Sequence, residues 1–375
     1  MKRAQASQCS SQSLRHFKHN IPLFLYTFIC CTGLTTKSDT SRWYNGTFVI
    51  FCMILLSVNI DYWIQVSVNL YVIEDILAYA AYALIYALST VAWYAVRSKR
   101  KQLTKLLHEL QEISLPIHGK KIIFLLIILC CMHISFSITT SISAFKYEVA
   151  LYGYGHNLRD TYVYKLLIII KILLYTLVFP TFLNIVALLY CLICLRIREL
   201  MKKLTRELTQ CSTETFVILK RAEILKRKSS IDDILDVIQD IFSLPTFIIV
   251  VANLLNCFSV LSEYLDNYSM LLSGGISKMI ECTLYTVNSL GCLIAVLWIA
   301  GDIPVEECKF KRTLQKKINT RLLFAGNSEK FKSEKLLLLK QDFVFTGLDI
   351  LSYRRSSIFT LFGALMTYTV LIIKE

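Results

Sequence analysis

Charged and amide side chains stand inside stretches of this chain that are otherwise apolar. Lys171, Asp61, Glu263 and Glu281 fall in runs long enough to cross a bilayer. A charge there is costly and is ordinarily paired or functional. Glu263 and Glu281 are the expected partners of Lys171, at similar depth, and Asp61 has no obvious one. Aromatic and polar residues recur nearby at helical spacing. Tyr79, Tyr82 and Tyr86 share one helix face, as do Glu281, Tyr285 and Asn288, while His133, Ser137 and Asn256 lie in neighbouring runs. Aromatic faces with a few amides suit a small polar or amphipathic ligand. The same residue types also hold membrane helices together, and both readings are open on sequence.

Catalytic arrangements are not visible. The chain has no Gly-rich phosphate loop and no convincing nucleophile constellation. The string His108-Glu109-Leu110-Gln111-Glu112 lacks the second histidine of a zinc protease. Cys191 and Cys194 form a CxxC without a second pair, which reads as helix wall. No catalytic residue, metal ligand or cofactor is expected.

The elements that carry these residues follow from composition. Of 375 residues, 55% are hydrophobic and 18% charged, with a mean hydropathy of +0.53. This predicts an all-α polytopic membrane protein, since lipid offers the backbone no hydrogen-bonding partner. Seven spans are expected near 46–68, 75–96, 121–143, 164–193, 242–265, 276–301 and 355–373. The stretch 21–34 is too short to span and reads as interfacial or re-entrant, and no signal peptide is convincing. Loops 196–241 and 305–350 carry leucines at helical spacing among charges, which predicts amphipathic cytoplasmic helices that need a partner to pack against.

The net charge of +14 does not indicate nucleic acid. Of 41 Lys and Arg residues, 33 lie in the N-terminal segment and in three alternate connections. Such clustering marks the cytoplasmic side, so the N-terminus is expected inside and the C-terminus outside. A seven-span G-protein-coupled receptor has the opposite orientation. An odd span count without an internal repeat disfavours transporters built from duplicated halves. Such a receptor, a transporter or an enzyme without a recognisable motif remains the alternative. The 13 cysteines avoid the predicted outer loops, so no disulfide framework is implied. Asn267 heads a sequon in a predicted outer loop and is a candidate glycosylation site.

The C-terminal residues Thr367-Tyr368 followed by five residues that are apolar or nearly so, 369–373, resemble the closing signature of insect gustatory receptors. There Gln-Phe follows; here Lys374-Glu375 stands instead. Asp342-Phe343-x-Phe345-Thr346-Gly347-Leu348-Asp349 is similar to the family's segment before its last helix. The resemblance implies a ligand-gated cation channel in the plasma membrane of sensory neurons. It implies a homo- or heterotetramer with other gustatory receptors, and a small-molecule tastant bound among the second to sixth spans. The corresponding organisation is a cytoplasmic segment 1–45, six spans in 46–301, an anchor segment 302–353 and a pore helix 354–375. On that helix Thr360, Ala364, Thr367, Leu371 and Glu375 form one stripe, with Leu371 at the gate position and Glu375 at the outer mouth. Lys374 points about 100° away, toward a neighbouring helix.

Overall fold

The computed structural model describes residues 23–35, 42–68, 76–112, 119–147, 152, 154, 162–211, 221–266, 276–325 and 343–374. Nearly all of these are helical. A short helix α1 (Leu23–Cys31) precedes α2 (Arg42–Val68), α3 (Ile76–Ser98), α4 (Arg100–Glu112) and α5 (Gly119–Tyr147). The fourth span is α6 (Tyr162–Thr176), a wide π turn over Leu177–Phe182, and α7 (Leu183–Gln210). Then come α8 (Arg221–Asp266), α9 (Ile276–Ala325) and α10 (Arg355–Lys374). Six of the helical stretches are long and apolar enough to cross a membrane among the described residues. The 20-residue α10 stands where the seventh span is expected.

Burial sorts the helices. The most apolar stretch of α8 is 61% buried and that of α2 22%, so α8 runs through the middle of the bundle and α2 along its rim. The outer face of α2 shows Val49, Ile50, Met53, Leu56, Ile60 and Trp63, a stripe that lipid can cover. Pro180 lies in the π turn, where Phe179 adopts an extended backbone (φ −141°, ψ 128°) and the span bends.

The expected helical extensions are present. With 46 residues α8 is about 70 Å long, and α9 with 50 residues is longer still. Either exceeds the ~30 Å hydrocarbon core twofold. Beyond the membrane, Leu204, Leu208, Ile231, Leu235, Phe310 and Leu314 form a second buried layer, to which α4 adds Leu103, Leu106 and Leu107. Lys228, 1% exposed, is held there by Asp232 and by Glu307 at 3.3 Å. Glu307 in turn accepts the Phe343 backbone N–H at 2.8 Å.

The end of that expected helical region is corrected. Residues 343–351 are not helical: Thr346–Gly347 and Leu351–Ser352 pair as antiparallel strands β1 and β2. Gln239 on α8 is the reason. Its Nε2 donates to the Thr346 carbonyl at 2.8 Å and its Oε1 accepts the Thr346 N–H at 3.1 Å, as a neighbouring strand would. Leu348 and Asp349 turn the chain with positive φ (53° and 58°). Gly347 faces Tyr353 and lies so close to Phe247 that an added Cβ would fall 3.0 Å from it. Leu336–Leu339 lie outside the described residues.

Candidate functional site

Two arrangements of side chains stand out: a polar cluster between the outer halves of the spans, and a junction at the base of α10.

In the first, α9 enters the bundle with Lys278, Glu281 and Tyr285 on one face. Lys278 Nζ lies 2.7 Å from Glu263 Oε1 on α8 and 3.5 Å from Glu281 Oε2. The Thr140 hydroxyl on α5 donates to Glu281 Oε1 at 2.8 Å. One turn deeper, Asn256 Nδ2 donates to Ser289 Oγ at 2.8 Å and to the Tyr285 carbonyl at 3.4 Å. Asn184 donates to Asn288 at 2.7 Å. Rings close the region: Phe136 and Tyr285 have centroids 4.7 Å apart, and Tyr86 lies 5.0 Å from Tyr62 and 5.6 Å from Tyr175. Tyr82 is within electrostatic reach of Glu263 and Lys278.

The expected pairing of Lys171 with Glu263 or Glu281 is wrong. Lys171 Nζ lies 3.1 Å from Asp61 Oδ1 on α2, and Tyr154, Tyr175 and Gln65 complete that cluster. The face of α6 that carries Ile168, Lys171 and Tyr175 turns toward the rim helix, while Lys278 stands between the two glutamates, closer to Glu263. His133 and Ser137 also look away from the glutamates, hydrogen-bonding Thr181 at 3.0 Å and Thr176 at 2.8 Å. Tyr79 is half-buried against the core at the outer end of α3. The structure therefore brings together Tyr82, Tyr86, Asn256, Glu263, Glu281, Tyr285 and Asn288, and adds Lys278, Thr140, Phe136 and Asn184. Asn184 and Phe136 carried no signal in one sequence, since an amide or a phenylalanine in a span is unremarkable.

The second arrangement was not visible in the sequence. Asp302 on α9, its side chain 5% exposed, accepts from Arg198 on α7 at 2.6 Å and from Arg355, the first residue of α10. The Arg355 guanidinium also lies over the Trp298 ring, 4.5 Å from its centroid. Tyr353 is buried beneath the hairpin with its hydroxyl 3.0 Å from Thr246 Oγ1, and burial raises its phenol above the usual range. Above this base α10 is sparsely covered. Tyr368 packs edge-on against Phe258 at 4.5 Å, and Ile358 and Leu361 touch the core. Thr360, Ala364, Thr367, Phe359 and Met366 are exposed. Leu371 and Lys374 lie on the last turns of α10. Glu375 and Asn267 are outside the described residues.

No protein-family model matches this chain, and no curated protein matches it in sequence. Solved structures do. The insect olfactory receptor OR5 from Machilis hrabei superposes with a TM-score of 0.73 at 12% identity, over 92% of this chain and 95% of that one. The same receptor in complex with eugenol gives 0.72 at 12% identity, over 94% and 97%. The chain is thus an all-α polytopic membrane protein with the fold of an insect olfactory receptor along nearly its whole length.

Proposed function

We propose that the chain is an insect chemoreceptor of the gustatory kind: a tastant-gated, non-selective cation channel of the sensory-neuron plasma membrane. Four copies, or copies together with related gustatory receptors, surround a pore lined by α10. The observation that carries this reading is α10 itself. An apolar terminal helix bearing Thr367-Tyr368 and five following residues is left with most of its girth uncovered, on a fold shared with an insect chemoreceptor. Closed cyclic symmetry gives such a helix neighbours and a lumen at once. The solved complex of the olfactory receptor with eugenol supports a small-molecule ligand here.

In this reading a ligand among α3, α5, α8 and α9 biases the position of α9, and Asp302 passes that bias to α10 through Arg355. Leu371 side chains close the lumen by dewetting and carboxylates at Glu375 favour cations. Lys374 pairs with a carboxylate of the adjacent copy.

Whole-cell currents from cells expressing Leu371→Ala beside the unmodified chain, with no ligand added, test the reading. A standing cation current only in the variant is the expected result. No current in either, with surface expression confirmed, counts against a channel formed by this chain alone. Lys374→Gln is expected to change conductance or selectivity, and an unchanged current–voltage relation removes the role given to Lys374.

A further inference from the structure

We propose that the ligand held between α3, α5, α8 and α9 is a small aryl-alkyl ammonium ion, with its charge on Glu281 and its ring against Tyr285 and Phe136. The inference rests on the receptor reading above and narrows it to a ligand class. Charge is the first ground. Glu263 and Glu281 face one ammonium, Lys278, which stands 2.7 Å from Glu263 and 3.5 Å from Glu281. Among the described residues these three side chains sum to one negative charge, and the nearby Lys171–Asp61 pair is neutral by itself.

Open hydrogen-bonding valence is the second ground. Glu281, with its side chain 9% exposed, uses Oε1 to accept from Thr140. Among the described residues its Oε2 accepts no hydrogen bond. Asn256, 0% exposed, gives Nδ2 to the Tyr285 carbonyl, which can only accept. The amide orientation is fixed by that contact, and among the described residues its Oδ1 has no hydrogen-bond partner. Tyr285 is one helical turn from Glu281 on α9, and Asn256 meets that turn from α8, so the two acceptors belong to facing helices about one turn apart. A buried acceptor next to a buried anion favours a charged N–H donor over a neutral hydroxyl.

The rings are the third ground. Tyr285 and Phe136 meet at 4.7 Å, and Tyr86 stands in the adjoining tyrosine cluster. Such faces attract an ammonium and cover an aryl group. A neutral ligand leaves the Glu281 oxygen with only the ion pair to Lys278 at 3.5 Å, and an anion meets the excess charge with repulsion.

The test uses the full chain purified in detergent. Thermal stabilisation is measured with benzylamine, phenethylamine and phenylpropylamine, each against the corresponding neutral alcohol. At least one amine is expected to stabilise the chain at lower concentration than its alcohol. Glu281→Gln is expected to raise the half-maximal amine concentration roughly 10-fold or more and to erase the preference over the alcohol, while Glu281→Asp keeps it. If Glu281→Gln does not fold, Asn256→Leu serves in its place, with weaker amine binding expected. Equal stabilisation by amine and alcohol, an unchanged amine response in the variant, or no response to any amine overturns the inference. Melting does not depend on conduction. Glu281-dependent amine binding in a chain whose Leu371→Ala variant passes no current upholds the ligand class and removes the channel. A leaking Leu371→Ala variant that no amine stabilises does the reverse.

Discussion

Lys171 Nζ and Asp61 Oδ1 stand 3.1 Å apart and tie α6 to α2 near the outer end of the bundle. Their side chains are 12% and 21% exposed, so neither ion is well solvated. Removing one partner leaves the other uncompensated, at about 3 kcal/mol, the lower end of the range for buried pairs. Asp61→Asn and Lys171→Met are each expected to lower the melting temperature in detergent. The double change Asp61→Leu, Lys171→Met is expected to recover most of the loss. Single variants that melt with the unmodified chain would show a pair that contributes nothing.

Asp302 joins three helices through Arg198 and Arg355. A double-mutant cycle with Asp302→Asn and Arg355→Gln is expected to give a coupling of about 1–3 kcal/mol, within the range for contacting residues. Arg355→Lys is expected to restore little, because the guanidinium also stacks on Trp298. Additive losses in thermal melting would mean that Asp302 and Arg355 act separately.

Gly301 lets α9 touch the start of α10. A Cβ there would fall 2.8 Å from the backbone nitrogen of Arg355, and backbone cannot give way as a side chain does. In a helix interior Gly→Ala ordinarily gains up to ~1 kcal/mol. Gly301→Ala is expected to lose stability instead, whereas Gly291→Ala, with nothing within 4 Å of its added Cβ, is expected to follow the ordinary rule. Comparing the two melting temperatures decides it, since a gain at both positions contradicts the close approach.

Tyr353 gives the β1–β2 hairpin a pH dependence. Its phenol is raised by burial, so the contribution is complete below the unfolded value of about 10. It falls as pH rises past that value, because the unfolded chain gives up the proton first. Stability curves of the unmodified chain and Tyr353→Phe are expected to run parallel to about pH 10 and then converge. Curves that stay parallel at higher pH would show a phenol exposed to solvent.

How much of this was legible in the sequence differs by element. Membrane spans could be read because lipid enforces one answer locally: a run of apolar residues must be helical to satisfy its own backbone. Leucine spacing likewise announced the long extensions of α7, α8 and α9. The hairpin at 346–352 could not be read. Phe343, Phe345, Leu348 and Leu351 fit a helical period, and Gln239, more than a hundred residues earlier, provides the contacts that hold an extended strand. The same holds for the charges. Sequence marked Lys171, Asp61, Glu263 and Glu281 as requiring partners but could not assign them, because depth along a span says nothing of which way its face turns.

The sequence by itself determined the class of solvent, the helical character of the apolar runs, and which residues would be expensive to leave alone. Those are properties of single helices, set by hydropathy and by helical period. Tertiary structure decided who answers whom: Lys171 with Asp61, Lys278 with the two glutamates, and Arg355 with Asp302. Pairing is a matter of how helices rotate and slide against one another, and that is fixed by packing over the whole bundle rather than by any stretch of chain.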